Sequence, residues 1–150
     1  MKVRRATPAD IASIIELERA CPTAAHWSEP LYRNLFSGTP GPPSRAAWAA
    51  EESAEILGFL VAARLDAEWE LENVVVSPAA RRSGIGQTLL EAFLAEADKT
   101  DKASVFLEVR ESNLAARALY EKVGFQITGR RKSYYHNPEE DAVLYRWQPG

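Results

Sequence analysis

The segment from Val74 to Ala97 constrains the fold of this chain more than any other. An apolar run, Val74-Val75-Val76, is followed by Pro78, by a polar stretch with glycines, and by an amphipathic pattern from Gln87 to Ala97. A buried strand that runs into a glycine-containing turn and then into a helix is typical of layered α/β proteins. We therefore predict a strand–turn–helix unit, with the strand buried on both faces where all three valines follow one another.

The remaining patterns predict a single domain over residues 1–150, of the α/β (α+β) class. Thr7, Pro8 and Asp10 form a variant of the capping box, which indicates the start of the first helix. The strand–helix–strand order of the second half requires at least one parallel crossover. We expect a mixed, mostly antiparallel sheet of about seven strands, flanked by about four helices. The predicted strands are 2–6, 46–51, 56–63, 69–77, 104–110, 125–131 and 141–147, and the predicted helices follow Thr7 or cover 29–36, 87–97 and 113–123.

Composition and charge restrict the classes of function. The 150 residues are 46% hydrophobic and 26% charged, as in soluble globular domains, and no run approaches the roughly 20 apolar residues that cross a bilayer. The net charge of −3 does not favour a nucleic-acid partner. Cys21 is the only cysteine, and His26 and His136 lie far apart, so we expect neither a disulfide nor a metal site. We expect a cytoplasmic protein without a membrane or nucleic-acid partner.

The turn between Val76 and Gln87 has the chemistry of a diphosphate site. The first amides of a helix lack internal partners and favour anions, and Arg81 and Arg82 add charge-assisted hydrogen bonds. Glycines at 84 and 86 let a ligand approach the backbone. A phosphate loop of the Walker type is excluded because Gln87-Thr88 replaces Lys-Ser/Thr. A dinucleotide site fits less well because Leu89 replaces the third glycine, and a turn that binds nothing is the remaining alternative.

Two motifs resemble those of the GNAT superfamily of N-acetyltransferases. Val74 to Gly86 is similar to the coenzyme A motif, and Leu107 to Phe125 is similar to the second motif of the same superfamily. The match is most similar to the ribosomal-protein alanine N-acetyltransferase branch, the RimI type, and covers essentially the whole chain. The resemblance implies acetyl-coenzyme A as co-substrate and a protein N-terminus, such as that of a ribosomal protein, as acceptor, in a monomer or weak dimer. It implies cofactor contacts at Val74, Val75, Val76, Arg81, Arg82, Ser83, Gly84, Ile85, Gly86, Gln87, Asn113 and Tyr120.

The second motif carries the residues with suitable acid–base chemistry. An amine attacks a thioester only when neutral, and an α-amine with a pKa near 8 loses its proton more easily than lysine. Glu108 ends a strand beside the expected cleft, and Asn113 and Tyr120 lie two helical turns apart on one face. Phenol and thiol pKa values lie within about two units, so Tyr120 can protonate the leaving sulfur. The resemblance implies that Glu108 is the proton acceptor and Tyr120 the proton donor.

Several alternatives stay open from the sequence. Glu72 is the second choice for the base, since strand alternation places Glu70 and Glu72 on one face with Val74 and Val76. Glu108 could instead only pair with Arg110 or another cation. Trp27, Tyr134 and Tyr135 either line a peptide channel or pack against the sheet. The alternative functions are acetylation of a small-molecule amine or of lysine, and a non-catalytic acyl-coenzyme A-binding module.

Overall fold

The computed structural model describes residues 1–21, 28–36, 44–81, 83–99 and 103–149. Trp27 and Arg82 lie outside the described residues. The strands are β1 (Lys2–Arg5), β2 (Ser44–Glu52), β3 (Glu55–Leu65), β4 (Glu68–Val76), β5 (Ser104–Arg110), β6 (Gln126–Tyr135) and β7 (Glu140–Trp147). The helices are α1 (Ile11–Arg19), α2 (Glu29–Arg33), α3 (Ile85–Lys99) and α4 (Leu114–Lys122), with 3₁₀ turns at Pro8–Asp10, Asn34–Phe36 and Pro78–Ala80.

The seven strands form one mixed sheet in the order β1-β2-β3-β4-β5-β7-β6. Every neighbouring pair is antiparallel except β4 and β5, which are parallel and joined through α3. This confirms the predicted α/β architecture and its parallel crossover. No helix among the described residues has both the length and the apolarity to cross a membrane.

Each face of the sheet carries its own apolar core. On one face, α3 packs Leu89, Leu90 and Phe93 against the sheet, and Trp48 and Trp69 surround the Phe93 ring at 5.2 and 5.5 Å between ring centroids. Burial of each such large side chain contributes about 1.5–3 kcal/mol. On the other face, α1 and Tyr32 cover a second core. The sheet therefore separates two apolar cores.

The N-terminal helical segment begins as its sequence predicts. The Thr7 amide donates to the Asp10 carboxylate at 2.8 Å, and the capping box is complete. Arg4 donates two hydrogen bonds to the same carboxylate, at 2.8 and 3.0 Å. The Arg4 guanidinium holds the pKa of Asp10 below its usual range, against the opposing effect of burial. These contacts tie β1 to the start of α1.

A β-bulge in β4 overturns the predicted alternation of side chains. Consecutive residues of β3 face Leu71 and Asn73, so that Glu72 is an extra residue. Leu71 therefore belongs to the α3 core, whereas Val75 belongs to the α1 core. As a result, Val74 and Val76 lie on the α3 side and do not share the face of Glu70 and Glu72. The strand is also not buried on both faces, since Val74 and Val76 are only half-buried and line a cleft.

Among the element boundaries that differ from the sequence prediction, two affect predicted site residues. The helix α3 begins at Ile85 and not at Gln87, so Ile85 and Gly86 belong to its first turn. The strand β6 continues to Tyr135, past the predicted end at Arg131, after an irregular register between those two residues. Both differences place predicted site residues inside regular elements, which restricts their positions.

Candidate active site

The strands β4 and β5 pair at only three positions and then part. The paired positions are Glu68–Ser104, Trp69–Val105 and Glu70–Phe106. Beyond them lies a cleft of about 1490 Å³, lined by the end of β4, the end of β5 and the starts of α3 and α4. Two strand edges that face a cleft offer backbone N–H and C=O groups to a ligand. The opening also connects the two faces of the sheet.

The start of α3 forms one end of the cleft. An α-helix leaves its first amides without intrahelical partners, here those of Ile85, Gly86 and Gln87. The next amide, of Thr88, already donates to the Gly84 carbonyl at 3.0 Å, as does the Thr88 hydroxyl at 2.9 Å. The helix dipole adds partial positive charge at this end. The arrangement suits an anion with several oxygens.

Glycine is found at positions 84 and 86 for different structural reasons. Gly84 has φ +81°, and a Cβ at this position meets nothing within 4 Å, so the space in front of it is open. A Cβ on Gly86 lies 3.0 Å from Leu119 Cδ2, because α3 and α4 approach closely there. The space in front of Gly84 is open, as a ligand contact there would need, whereas a side chain at position 86 would press on Leu119.

The other predicted residues of the turn are placed as follows. Arg81 and Gln87 line the cleft, and Arg81 is exposed. The Ser83 hydroxyl donates to the Ala80 carbonyl and so closes the turn. The side chain of Val75 is buried in the α1 core, so only its backbone is available to a ligand.

The helix α4 brings Asn113 and Tyr120 to the cleft. Asn113 is the N-cap of α4, with its side-chain oxygen accepting from the Ala116 amide at 3.3 Å, and both residues line the cleft. The ring of Tyr120 packs on Phe125 and Tyr145, at 5.8 and 6.2 Å between centroids. The predicted common face of Asn113 and Tyr120 is confirmed.

The phenol of Tyr120 stays protonated at neutral pH. Burial raises its pKa above the ordinary value, and the nearby Tyr135 adds to the effect. No described residue forms a hydrogen bond with its hydroxyl group. The pKa match between a free phenol and a thiol therefore does not hold in this cleft. The hydroxyl group of Tyr120 is therefore a neutral hydrogen-bond donor on a residue that lines the cleft.

Glu108 reaches the cleft from the other face of the sheet. Its strand neighbours Leu107 and Val109 are buried in the α3 core, so alternation directs Glu108 to the opposite side. Its carboxylate lies 3.4 Å from the Arg131 guanidinium, and its side chain is 19% exposed. The nearby carboxylate of Glu108 raises the pKa of the Tyr134 phenol.

The two carboxylates on β4 that are alternative candidates for the base, Glu70 and Glu72, have different surroundings. Glu72 accepts two hydrogen bonds from Arg45, at 2.8 and 3.1 Å, and also lines the cleft. Burial, followed by the charges of Glu72 and Glu108, raises the pKa of Glu70. Since the bidentate pair with Arg45 occupies both oxygens of Glu72, Glu108 is the more available carboxylate.

The β6–β7 hairpin carries the two adjacent tyrosines. Their rings meet edge to face at 5.1 Å between centroids. Tyr134 is 44% exposed, whereas Tyr135 is half-buried and lines the cleft. Burial, followed by Glu108, raises the pKa of Tyr135 to about 12. Both hydroxyls therefore stay neutral donors beside Glu108.

Three arginines matter here that the sequence reasoning did not place in the site. Arg45 holds Glu72, Arg131 pairs with Glu108, and Arg110 contacts the β6–β7 hairpin. Of the predicted alternatives for Glu108, Arg110 or another cation, the structure shows another cation, Arg131, while Arg110 pairs with Glu140. Its position in the second motif, two residues after Glu108, is the one signal that could have drawn attention to it.

Comparison with known proteins agrees with this geometry. The acetyltransferase (GNAT) family model matches residues 11–125. The [ribosomal protein bS18]-alanine N-acetyltransferase of Escherichia coli (strain K12) is 37% identical over 95 residues, which are 62% of this chain and 64% of that enzyme. The N-alpha-acetyltransferase RimI of Mycobacterium tuberculosis is 37% identical over 105 residues, 67% of this chain and 65% of that protein. The chain thus spans slightly less than two thirds of these relatives.

A solved structure extends the likeness over nearly the full chain. The crystal structure of the ribosomal-protein-S18-alanine N-acetyltransferase from Escherichia coli superposes with a TM-score of 0.83 and 28% identity, covering 98% of this chain and 92% of that one. Family match, sequence identity and fold all agree. The chain belongs to the acetyltransferase (GNAT) family.

Proposed function

We propose that this protein transfers an acetyl group from acetyl-coenzyme A to the N-terminal α-amine of a protein, by direct transfer in a ternary complex. The observation that carries the proposal is the opening between β4 and β5, with Tyr120 on one face of the sheet and Glu108 on the other. A cofactor and an acceptor can thus enter from opposite sides and meet where the strands part.

The cleft fits the cofactor in size and in chemistry. Its volume of about 1490 Å³ exceeds that of usual small-molecule pockets and suits a long ligand. The amides of Ile85, Gly86 and Gln87, with Arg81 beside them, would hold the diphosphate. The parted edge of β4, from Val74 to Val76, offers backbone groups for the amide-containing arm. When bound, acetyl-coenzyme A supplies the thioester whose carbon takes the amine and whose sulfur leaves.

Glu108 is the proposed proton acceptor. An α-ammonium with a pKa near 8 is close to losing its proton at neutral pH, so a carboxylate that acts directly or through water suffices. The N–C bond forms as the C–S bond breaks, and the proton of the amine goes to Glu108. The ion pair between Glu108 and Arg131 has to loosen for this step.

Tyr120 is the proposed donor to the leaving sulfur. Its raised pKa keeps the hydroxyl hydrogen in place, and its ring is fixed by Phe125 and Tyr145. The Tyr145 hydroxyl accepts from Arg117 at 3.0 Å and donates to Glu121, which anchors α4 on β7. The phenol therefore donates from a rigid position, which limits the reorganisation that donation needs.

A protein N-terminus is the proposed acceptor. One relative is named an N-acetyltransferase for an alanine of ribosomal protein bS18, and another an N-alpha-acetyltransferase. The neutral hydroxyls of Tyr134 and Tyr135 can bond the backbone of an extended peptide. A ribosomal protein is the proposed partner, and a monomer or weak dimer the proposed state. The alternative acceptors are a small-molecule amine or a lysine side chain.

A mass-spectrometric assay distinguishes these acceptors. The protein is incubated with acetyl-coenzyme A and an alanine-starting peptide that also contains lysine, and fragmentation locates the added acetyl group. We expect acetylation of the α-amine alone. An unmodified α-amine beside an acetylated lysine, or beside an acetylated polyamine in a parallel reaction, refutes the proposed acceptor.

A further inference from the structure

Arg110 connects the end of β5 to the tip of the β6–β7 hairpin. Its guanidinium donates to the carbonyls of His136 and Pro138, at 3.2 and 3.1 Å, and to the Glu140 carboxylate at 3.2 Å. A planar guanidinium with five donors can satisfy three acceptors at once, which a lysine cannot do in the same geometry. One side chain is thus hydrogen-bonded to three groups of the hairpin tip.

The same guanidinium supports Tyr135. It lies 4.4 Å from the centroid of the Tyr135 ring, within the range of a cation–π contact. Tyr135 is half-buried and lines the cleft. Arg110 therefore contacts both the ring that faces the acceptor side and the loop that carries this ring.

The backbone ladder supports this part of the hairpin poorly. The register of β6 and β7 is irregular between Arg131 and Tyr135, and Ser133 has φ +53°. Its amide donates to the Asp141 side chain at 2.8 Å and not to a backbone carbonyl. Pairing resumes only at Tyr135, opposite Glu140. This pairing and the contacts of Arg110 together hold Tyr135 at the end of the irregular stretch.

Glu140 extends the link to the cofactor side. Its carboxylate accepts from the Ser112 amide as well as from Arg110, and these bonds hold the pKa of Glu140 below its usual range, Ser112 having the larger effect. Ser112 directly precedes Asn113, the N-cap of α4. The Arg110–Glu140 pair therefore joins the hairpin to the loop that starts α4.

We propose that Arg110 is a positioning residue that selects polypeptide acceptors over small amines. It holds Tyr135 and the hairpin tip where the backbone beyond the first residue of an acceptor would lie. The inference rests on the proposed function, since it concerns the acceptor side of the same cleft. The proposal implies that longer peptide acceptors bind more tightly than shorter ones, and that this increase in affinity depends on the Arg110 guanidinium.

The test measures how the acceptor KM depends on peptide length. Alanine-starting peptides of two to eight residues are assayed with the wild type, Arg110→Met and Arg110→Lys. We expect the wild-type KM to fall about tenfold from the shortest to the longest peptide. Arg110→Met should lose this dependence, and Arg110→Lys should keep part of it. The Kd for acetyl-coenzyme A is measured in parallel, so that a change confined to the acceptor KM is separated from a change on the cofactor side.

Matched controls separate positioning from general damage. Arg130 lies on the same hairpin and forms an exposed ion pair with Glu111, which follows β5. Arg130→Met removes this ion pair and should leave the dependence of KM on peptide length intact. Glu140→Gln should lose part of the dependence of KM on peptide length, as Arg110→Met does. If Arg110→Met does not fold, Glu140→Gln is used in its place. A wild type without length dependence, an unchanged profile in Arg110→Met, or an equal loss in Arg130→Met each overturns the inference. Failure of the wild type to acetylate any peptide refutes the proposed function instead.

Discussion

Glu108 and Tyr120 line one cleft from opposite faces of the same sheet. Glu108 extends from β5 towards the β6–β7 hairpin, and Tyr120 extends from α4 over the apolar core beneath α3. The proposed proton acceptor and the proposed hydrogen-bond donor thus lie on opposite sides of the gap between β4 and β5.

Replacement of the acceptor carboxylate should affect turnover far more than cofactor affinity. Glu108→Gln keeps the shape of the side chain and removes its basicity, so kcat should fall about a hundredfold or more. The Kd for acetyl-coenzyme A, measured by calorimetry, should not change. Glu72→Gln is the control, because its carboxylate is bound to Arg45. A larger loss of kcat in Glu72→Gln than in Glu108→Gln would transfer the role of base to Glu72.

Removal of the Tyr120 hydroxyl should lower kcat but should not change how kcat depends on pH above neutrality. Tyr120→Phe keeps the ring packing on Phe125 and removes the donor, so kcat should fall about tenfold to a hundredfold. Because burial raises the pKa of this phenol above 10, the wild-type kcat should show no decline near pH 10 from its ionisation. A wild-type decline with an apparent pKa near 9, absent in Tyr120→Phe, contradicts this assignment.

A side chain at Gly84 should weaken cofactor binding more than it weakens the fold. Gly84→Val places a branched side chain in the open space before α3 and strains a residue at φ +81°, at a cost of about 1–2 kcal/mol to folding. The Kd for acetyl-coenzyme A should rise at least about tenfold, since the methyl groups occupy the proposed diphosphate position. Gly124→Ala, at φ +108° and outside the cleft lining, provides the comparison. Equal cofactor affinity in the folded Gly84→Val variant is incompatible with the proposed geometry.

The Asp10 carboxylate should make stability depend on acid pH. Its pKa is lowered in the folded state, chiefly by Arg4, so its contribution is present above the ordinary value of about 3.9 and is lost as the pH falls through the folded value. Asp10→Asn should lower the free energy of unfolding in urea by about 2 kcal/mol at pH 7. The difference from wild type should shrink towards pH 3. A difference that is the same at both pH values shows that the charge is not responsible.

The order of elements and the glycine-containing turn before α3 could be predicted from the sequence because they depend on local pattern. Val74 to Val76, the turn at Gly84 and the helix that follows are contiguous, and their periodicity is strong. The Thr7–Asp10 capping box is likewise local, and the structure forms it. Local signals of this kind survive in any tertiary context that accepts the elements.

The facing of side chains in β4 could not be predicted, because the bulge at Glu72 is defined by pairing with β3. Alternation is correct on each side of a bulge and wrong across it. The reason for Gly86 is also non-local, since the obstructing Leu119 lies on α4.

The ion-pair partners of the charged site residues could not be predicted either, because they also depend on non-local contacts. Glu108 pairs with Arg131, and Arg110 with Glu140 and two carbonyls of the hairpin, all across 20 residues or more. The sequence could suggest only Arg110, which is close in the chain, or another cation that it could not specify as the partner of Glu108. Tertiary contacts had to place the hairpin before the choice could be made.

Binding of acetyl-coenzyme A to the purified, folded protein tests the central claim most directly. We predict one-site binding by titration calorimetry, with an affinity that falls when Gly84 is replaced by valine and stays the same when Glu108 is replaced by glutamine. If folded wild-type protein takes up neither acetyl-coenzyme A nor free coenzyme A at millimolar concentration, the cleft between β4 and β5 is not a cofactor site, and the roles assigned to Glu108 and Tyr120 fail with it.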